Sequence, residues 1–282
     1  MLASLWGASY MFIKIGLRDL SAEMVVFSRT ALASLVLLPL AWRRGALEPL
    51  RGRVRQIFTL AAIQVAGPFT LISLGESSIS SSLAGILVSS APIFTALLAI
   101  RIDQDERLAG AGIAGVLVGI AGVALLVGLD TRGSAILGAL AVVLASLGYA
   151  LGAFYIKRNL REVPPVGLVT GTMGASAILM LPFAIATAPA ALPGSGPVLA
   201  MVALGFGGTG IAFVLFYSLI GTVGPTRASL VAYVAPGFAV AYGVALLDEK
   251  FTPVTLAGLV LIVGGSWMAA EGRLPARRRA PA

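Results

Sequence analysis

Two stretches of the chain carry small and polar side chains at helical spacing, and each stretch leads to a proline. The first consists of Ser78, Ser82, Gly85, Ser89 and Pro92, which would share one face of a helix. The second consists of Thr222, Thr226, Ser229, Tyr233 and Pro236. A hydroxyl stripe that faced lipid would lose hydrogen bonds, so we expect both stripes to face protein or a water-filled cavity. We predict that Ser89, Ser229 and Tyr233 bind substrate, with close packing of small residues between helices as the alternative.

Aromatic side chains form a second candidate set. Trp6, Tyr10 and Lys14 are four residues apart, so they also share one helical face. Aromatic rings can stack on an apolar or aromatic substrate, and their indole and hydroxyl groups can donate hydrogen bonds. We therefore expect Trp6, Tyr10, Tyr149 and Tyr217 to contact substrate. Filling of the core, or a belt of aromatic residues at the membrane interface, would use the same residue types.

Three ionisable residues lie closest to the middle of apolar segments: Lys14, Arg29 and Glu76. A charge at membrane depth is costly and is usually functional. Lys14 and Glu76 fall near the ends of their segments, so we predict that they face the outer mouth of a cavity and influence charged substrates. Arg29 could extend its guanidinium outward to the membrane surface.

Prolines inside apolar segments are a further signal. Pro39, Pro92, Pro182 and Pro236 each remove a backbone hydrogen bond, which leaves a carbonyl group free to meet substrate or water. We predict hinges or kinks at these positions. Ordinary kinked packing is an equally good interpretation.

Two residue types are missing. The chain has no Cys and no His, so a disulfide, a cysteine nucleophile and a Ser-His-Asp triad are excluded. The commonest metal ligand is absent as well. We therefore expect no metal, no cofactor and no enzymatic activity. An intramembrane enzyme acting on a lipid headgroup would need an acidic, Lys or Tyr mechanism, and the acidic residues cluster in connections.

The elements that would position these residues follow from composition. Of 282 residues, 58% are hydrophobic and 11% are charged, against about 25% charged in soluble domains. A membrane-spanning helix needs about 20 apolar residues. Apolar runs bounded by charges and turns predict an all-α polytopic membrane protein with ten transmembrane helices. They cover residues 2–17, 23–42, 56–75, 79–100, 108–128, 134–156, 165–187, 197–219, 224–246 and 253–270.

The distribution of basic residues predicts the orientation. The even-numbered connections and the tail hold most of the 20 Lys and Arg residues, and cytoplasmic connections are the ones enriched in these residues. We therefore expect a multi-pass protein of the bacterial inner (plasma) membrane with both termini in the cytoplasm. The net charge of +8 then reflects topology and contact with the lipid bilayer, and we expect no nucleic-acid partner.

The two halves of the chain resemble each other. Ala91-Pro92 recurs as Ala235-Pro236, and Asp105-Glu106 recurs as Asp248-Glu249, at offsets of 144 and 143 residues. Each half would hold five helices, and because five is odd, the second half would enter the membrane from the opposite side. We predict an inverted 5+5 repeat around a central cavity, as in many secondary transporters. The first repeat would cover 1–130 and the second 131–272, followed by a basic cytoplasmic tail at 273–282.

These motifs give the chain a family resemblance. With Trp6-Gly7-Ala8-Ser9 in the first segment, Ala-Pro in the fourth and ninth, and Gly-rich fifth and tenth segments, it resembles the drug/metabolite transporter superfamily. Within that superfamily it resembles the EamA-type branch and its YddG-like exporters of aromatic amino acids, along essentially the whole chain. The resemblance implies a basket of ten helices around a central cavity, with the fifth and tenth at the periphery. It also implies export of small metabolites.

The sequence therefore predicts a secondary transporter that exports amino acids, aromatic ones included, or related small metabolites by alternating access. Another cargo, such as an organic cation, a drug or a nucleotide sugar, is the alternative. A channel, a scaffold and an intramembrane enzyme are the remaining ones. We expect a monomer or a weak dimer, because Gly115-x-x-x-Gly119 could serve as a dimer face or as a packing face within its own bundle. No ATP-binding motif is present, so proton coupling and facilitated diffusion both stay open.

Overall fold

The computed structural model describes residues 1–102, 110–129, 133–216 and 231–271, and every regular element in these ranges is helical. The helices of the first half are α1 Leu2–Gly16, α2 Ala22–Arg43, α3 Val54–Leu60, α4 Gly67–Glu76, α5 Ser81–Val88, α6 Ala91–Ile102 and α7 Gly110–Leu129. Those of the second half are α8 Ser134–Asn159, α9 Pro165–Ala186, α10 Ser195–Ala203, α11 Val231–Leu247 and α12 Pro253–Glu271. A short 3-10 helix, Glu48–Leu50, follows α2.

These helices lie where the apolar runs predict them. Among the described residues, eight helical segments are long and apolar enough to cross a membrane, and Val231–Leu247 is a shorter apolar helix. The first helix, α1, has 15 residues. The protein is therefore an all-helical, multi-pass membrane protein. That ten helices cross the membrane, and that the two halves are inverted, remain predictions.

Two helices widen into π-helical turns at corresponding places. Ala61–Ala66 joins α3 to α4, and Leu204–Ile211 continues α10. In the first turn, the Gly67 amide donates to Ala62, five residues earlier, next to a proline that has no amide hydrogen to donate. In the second, the Ala212 amide donates to Gly207, again five residues earlier. The two turns begin 143 residues apart, which matches the offset of the repeated motifs.

The fourth predicted segment is broken rather than continuous. It consists of α5 and α6, which are separated by Ser89 and Ser90. The Ser90 hydroxyl donates to the Leu87 carbonyl over 2.7 Å, and the Ser89 hydroxyl donates to Ile86. Pro92 cannot donate to the carbonyl four residues before it, so the helix is weakest at this point. Discontinuous helices of this kind commonly flank the substrate in transporters.

The other predicted hinge prolines lie inside helices that continue through them. Pro39 belongs to α2, Pro182 to α9 and Pro236 to α11. Their predicted role as hinges stays a prediction.

Glycines bring α7 and α12 into close contact. A Cβ atom added to Gly115 would come within 2.5 Å of the Ala269 backbone nitrogen. One added to Gly265 would come within 2.4 Å of the Gly119 nitrogen. The Gly115-x-x-x-Gly119 motif therefore packs against α12 of the same chain.

The two halves interlock. α1 packs against α11, α2 against α9, and α4 against α8, so each of these pairs takes one helix from each half of the chain. Gly7 permits one of these close approaches, because a Cβ atom at Gly7 would come within 2.8 Å of the Ala239 nitrogen. A cavity enclosed by these pairs is consequently lined from both halves.

Candidate functional site

A cavity of about 270 Å³ lies between the two halves of the chain. Its wall includes six of the residues that the sequence analysis singles out as binding or hinge residues: Trp6, Tyr10, Ser89, Pro92, Tyr149 and Pro236. The remainder is largely apolar, with side chains such as Ile13, Ile72 and Met173. A mostly apolar cavity with a few polar groups is typical of a small-molecule site.

Aromatic rings form one side of this cavity. The Trp6 ring lies 6.0 Å from Phe213 at 67° and 5.0 Å from Phe216 at 53°, measured between centroids. These edge-to-face and tilted contacts are the ones that aromatic pairs prefer. The two contacts join α1 to residues 212–216, the helical turn that follows the second π turn. Trp6, Phe213 and Phe216 all line the cavity. The wall therefore suits an apolar or aromatic group of a ligand.

The described residues show no hydrogen bond to three hydroxyl or amide side chains of the wall, those of Tyr10, Tyr149 and Gln64. Glycines make room for two of them, because a Cβ atom at Gly85 would lie 3.1 Å from the Tyr10 ring, and one at Gly152 would meet Gln64 at 2.6 Å. Gln64 belongs to the first π turn. These hydroxyl and amide groups are available to a ligand.

Arg29 is a site residue that the sequence analysis does not select. Its side chain extends into the bundle rather than outward to the surface, because the residue is 5% exposed and lines the cavity. Its Nε and Nη2 atoms donate to the Thr209 hydroxyl over 3.3 Å and 3.2 Å. The guanidinium carbon lies 3.7 Å above the centre of the Phe69 ring. The available signal was an arginine well inside an otherwise apolar helix.

The break between α5 and α6 lies in the same wall. Val88, Ser89, Ala91 and Pro92 all line the cavity. The hydroxyl of Ser146 lies 3.4 Å from the carbonyl oxygens of both Leu87 and Val88. The Ser89 hydroxyl donates to the Ile86 carbonyl oxygen. We therefore expect backbone groups at the break, more than that hydroxyl, to contact a ligand.

Tyr233 has a different position from the other predicted binding residues. It is absent from the wall of this cavity. Its hydroxyl lies 3.5 Å from the Ser266 carbonyl oxygen in α12, and the Ser266 hydroxyl in turn donates to Ser89 over 2.8 Å. Tyr233 therefore contacts α12, which in turn contacts the break between α5 and α6 through Ser266. Tyr217 and Ser229 lie outside the described residues, and for all three a role in binding stays a prediction.

Lys14 and Glu76 are close together, but the Lys14 ammonium contacts the backbone of Glu76 and not its carboxylate. The Lys14 ammonium donates to the Glu76 carbonyl oxygen and, over 2.7 Å, to that of Ile79. The Glu76 side chain is fully buried, and neither of its carboxyl oxygens has a hydrogen-bond partner among the described residues. Lys14 thus links α1 to the connection after α4. The predicted influence of Lys14 and Glu76 on charged substrates stays a prediction.

Glu249 forms a second contact at the same end of the bundle. Its carboxylate accepts from the Ser81 amide over 2.7 Å and from the Ser82 amide over 2.9 Å. It also accepts from the Ser82 hydroxyl. A carboxylate at the first free amides of a helix is a favourable cap. Glu249 therefore joins the end of α11 to the start of α5, across the two halves.

We call this end of the bundle the predicted outer end. It holds the connections 17–21, 77–80, 187–194 and 248–252, which the charge distribution predicts to be extracytoplasmic. Asp19 accepts from the Gly194 amide over 2.7 Å there, and the hydroxyls of Ser21 and Thr187 are 2.7 Å apart. At the opposite end, Arg53 and Glu162 form an exposed ion pair at 3.6 Å. The predicted outer end is thus tied across several connections by polar contacts.

Metal binding has no clear location in the described part of the chain. No group of three or more Asp and Glu residues is placed there to hold an ion. The polar groups of the cavity are hydroxyl, amide, indole and guanidinium groups, of which the guanidinium repels cations. The arrangement can bind a small organic molecule reversibly.

Known proteins share this architecture. The chain is 28% identical over 268 residues to "Uncharacterized inner membrane transporter YedA" of Escherichia coli, covering 92% of this chain and 85% of that protein. It is 26% identical over 281 residues to "Probable terminal-alkyne amino-acid exporter" of Streptantibioticus cattleyicolor, covering 98% of this chain and 93% of that protein. A solved crystal structure superposes with a TM-score of 0.67 at 23% identity, over 98% of this chain and 96% of the other. The fold is therefore shared.

A family model also matches the chain twice. The model of the EamA-like transporter family covers residues 1–128 and again 136–270. The two matches fall on the two halves that pack together around the cavity, and together they account for nearly the whole chain. The chain therefore belongs to the EamA-like transporter family.

Proposed function

We propose that this protein exports amino acids or closely related small metabolites across the bacterial inner membrane by alternating access. The observation that carries the proposal is the cavity between the two halves, whose wall combines an aromatic side with polar groups that show no hydrogen bond to the described residues. A ligand with an apolar side chain and polar ends would satisfy both parts of this wall. Aromatic amino acids have this form.

The relatives support an amino-acid cargo. One of them is named "Probable terminal-alkyne amino-acid exporter", and the alignment with it covers 98% of this chain. An organic cation is a poorer fit, because the buried guanidinium of Arg29 would repel it and no carboxylate oxygen of the described residues lies within 4.0 Å of that group. A nucleotide sugar would need more cationic groups than Arg29 provides.

The helices support alternating access. A mechanism of this kind requires two halves that can exchange conformations around one site. The cavity wall draws on both halves, and helix breaks or π turns lie beside it at Ala61–Ala66, Ser89 and Leu204–Ile211. Polar contacts through Lys14 and Glu249 link helices at the predicted outer end. These contacts support a state that is closed to the outside.

The test is flux in proteoliposomes that contain the purified protein. Labelled phenylalanine, threonine and a control sugar would be loaded, with and without a pH gradient. We expect saturable flux of the amino acids and none of the sugar, and the response to the pH gradient would separate proton coupling from facilitated diffusion. Correctly folded protein that moves neither amino acid would overturn the proposed cargo. Flux that does not saturate would indicate a channel instead.

A further inference from the structure

Among the described residues, the cavity wall contains one positively charged side chain, that of Arg29, and no carboxylate forms an ion pair with it. Arg29 lies 5% exposed in its wall, and no acidic oxygen of the described residues comes within 4.0 Å of its guanidinium. Glu76 is a fully buried acidic residue of the same bundle. Glu76, however, lines no part of the cavity. A buried charge without a direct partner is costly and is usually kept for binding.

The guanidinium is held in one orientation from two directions. Thr209 accepts from its Nε and Nη2 atoms, and the guanidinium carbon lies over the Phe69 ring, 3.7 Å from its centre. Thr209 is fully buried and Phe69 is 4% exposed, so neither support can move far. No described residue accepts a hydrogen bond from Nη1. The fork formed by the two terminal nitrogens is the geometry that binds a carboxylate through paired hydrogen bonds.

We propose that Arg29 binds the carboxylate of the transported substrate. This inference rests on the proposed function, because it assigns a chemical class and an orientation to the cargo of the same cavity. Tyr10 and Tyr149 line the same cavity as Arg29. Their hydroxyls show no hydrogen bond among the described residues, so they can support the same carboxylate. The Trp6, Phe213 and Phe216 side of the wall then takes the apolar side chain.

The helix break can accept the other end of a zwitterion. Pro92 has no amide hydrogen for the Val88 carbonyl, which accepts a long hydrogen bond, over 3.4 Å, from the Ser146 hydroxyl. Carbonyl groups at the end of a helix carry partial negative charge, which suits an ammonium group. The carboxylate contact with Arg29 is the part that we put to the test.

The experiment measures binding to the purified protein in nanodiscs. The chain has three tryptophans, and a Trp42→Phe, Trp267→Phe background leaves Trp6 of the cavity wall as the fluorescent reporter. The ligands are phenylalanine, phenylalaninamide, phenethylamine and 3-phenylpropionate. We expect the two carboxylates to bind at least tenfold more tightly than the amide and the amine, because only they can pair with Arg29.

Variants separate binding from structural support. Arg29→Gln should abolish the preference for the acid over the amide. Arg29→Lys should keep part of this preference, because the lysine ammonium is a point charge without the paired donors of arginine. Thr209→Val leaves the charge in place but removes the hydroxyl that orients it, so the preference should fall several-fold. Thermal melting of each variant shows whether it folds. The acid-to-amide ratio of the unmodified protein needs no Arg29 variant, so the test survives a variant that fails to fold.

The outcomes distinguish this inference from the proposed function. If phenylalanine and its amide bind within twofold of each other, Arg29 does not bind a carboxylate, whereas amino-acid transport still stands. If 3-phenylpropionate binds and phenylalanine does not, the amino-acid cargo is wrong and the carboxylate site stands. If none of the ligands binds to folded protein, both are overturned. An Arg29→Gln variant that keeps the acid preference also overturns the inference.

Discussion

At the scale of single residues, Trp6 is the side chain on which an aromatic cargo depends most directly. It lines the cavity and packs against Phe213 and Phe216. We expect Trp6→Ala to raise the KM of phenylalanine flux about tenfold, since an aromatic contact contributes about 0.5–1.5 kcal/mol beyond the area it buries. Trp6→Phe should recover most of the loss. The measurement is initial-rate flux in proteoliposomes at matched protein density.

Trp42 provides the matched control. It is 79% exposed at the end of α2, so it contacts the surroundings of the bundle rather than the cavity. Trp42→Ala should leave the KM unchanged within twofold. An equal rise in KM in the Trp6 and Trp42 variants would mean that Trp6 acts through folding or membrane insertion. Trp6 would then not belong to the proposed binding site.

At the scale of helices, the contact between α7 and α12 depends on glycine. We expect Gly265→Ala to destabilise the protein by about 1–3 kcal/mol, because the new methyl group would meet the backbone of Gly119 and Gly115 and force the two helices apart. The measurement is thermal melting in detergent. Gly264 is the neighbouring control, since nothing lies within 4 Å of its Cβ position. Equal melting temperatures for the two variants would contradict the close helix contact.

The Glu249 cap holds α5 and α11 together at the predicted outer end. Removing its carboxylate in Glu249→Ala leaves the Ser81 and Ser82 amides without their acceptor, a change that costs about 0.5–2 kcal/mol at a helix start. We therefore expect this end to open more often. Because the chain has no Cys, an Ile13→Cys substitution in the cavity wall would report that opening as a single reactive thiol.

A membrane-impermeant maleimide, added from the outside, should label the Ile13→Cys thiol about tenfold faster when Glu249→Ala is also present. Glu249→Asp keeps the charge on a shorter side chain and should give an intermediate rate. Labelling that is unchanged by Glu249→Ala would show that the cap does not control access to the cavity from this end.

At the scale of the whole molecule, orientation is the property that connects the structure to export. Arg51 is exposed in the connection after α2, and Leu192 is 98% exposed in the connection after α9. The excess of basic residues predicts that the first lies in the cytoplasm and the second outside. In intact cells, Leu192→Cys should therefore react with an impermeant thiol reagent, and Arg51→Cys should react only after the membrane is permeabilised. The reverse labelling pattern would show that the protein has the opposite orientation in the membrane.

The amino-acid sequence alone determined the class of protein, the approximate positions of most described helices and the family. Apolar runs place helix ends within a few residues of those observed, as at Val54–Glu76 and Pro253–Glu271, because the bilayer sets both the length and the polarity of a spanning segment. Spacing of motifs also predicted a repeat, and the family model matches once in each half. These properties are local or periodic, so they can be recognised along the chain.

The tertiary structure decided which of the polar residues meet in one cavity. Spacing placed Trp6 and Tyr10 on one helical face, and the structure puts both in the wall, whereas Tyr233 lies against α12 instead. Arg29 escaped selection because a lone arginine in an apolar helix is compatible with either surface or interior. Thr209, its partner, is 180 residues away. Contacts between distant helices fix which side of a helix becomes the cavity, and that information is absent from the spacing within any one helix.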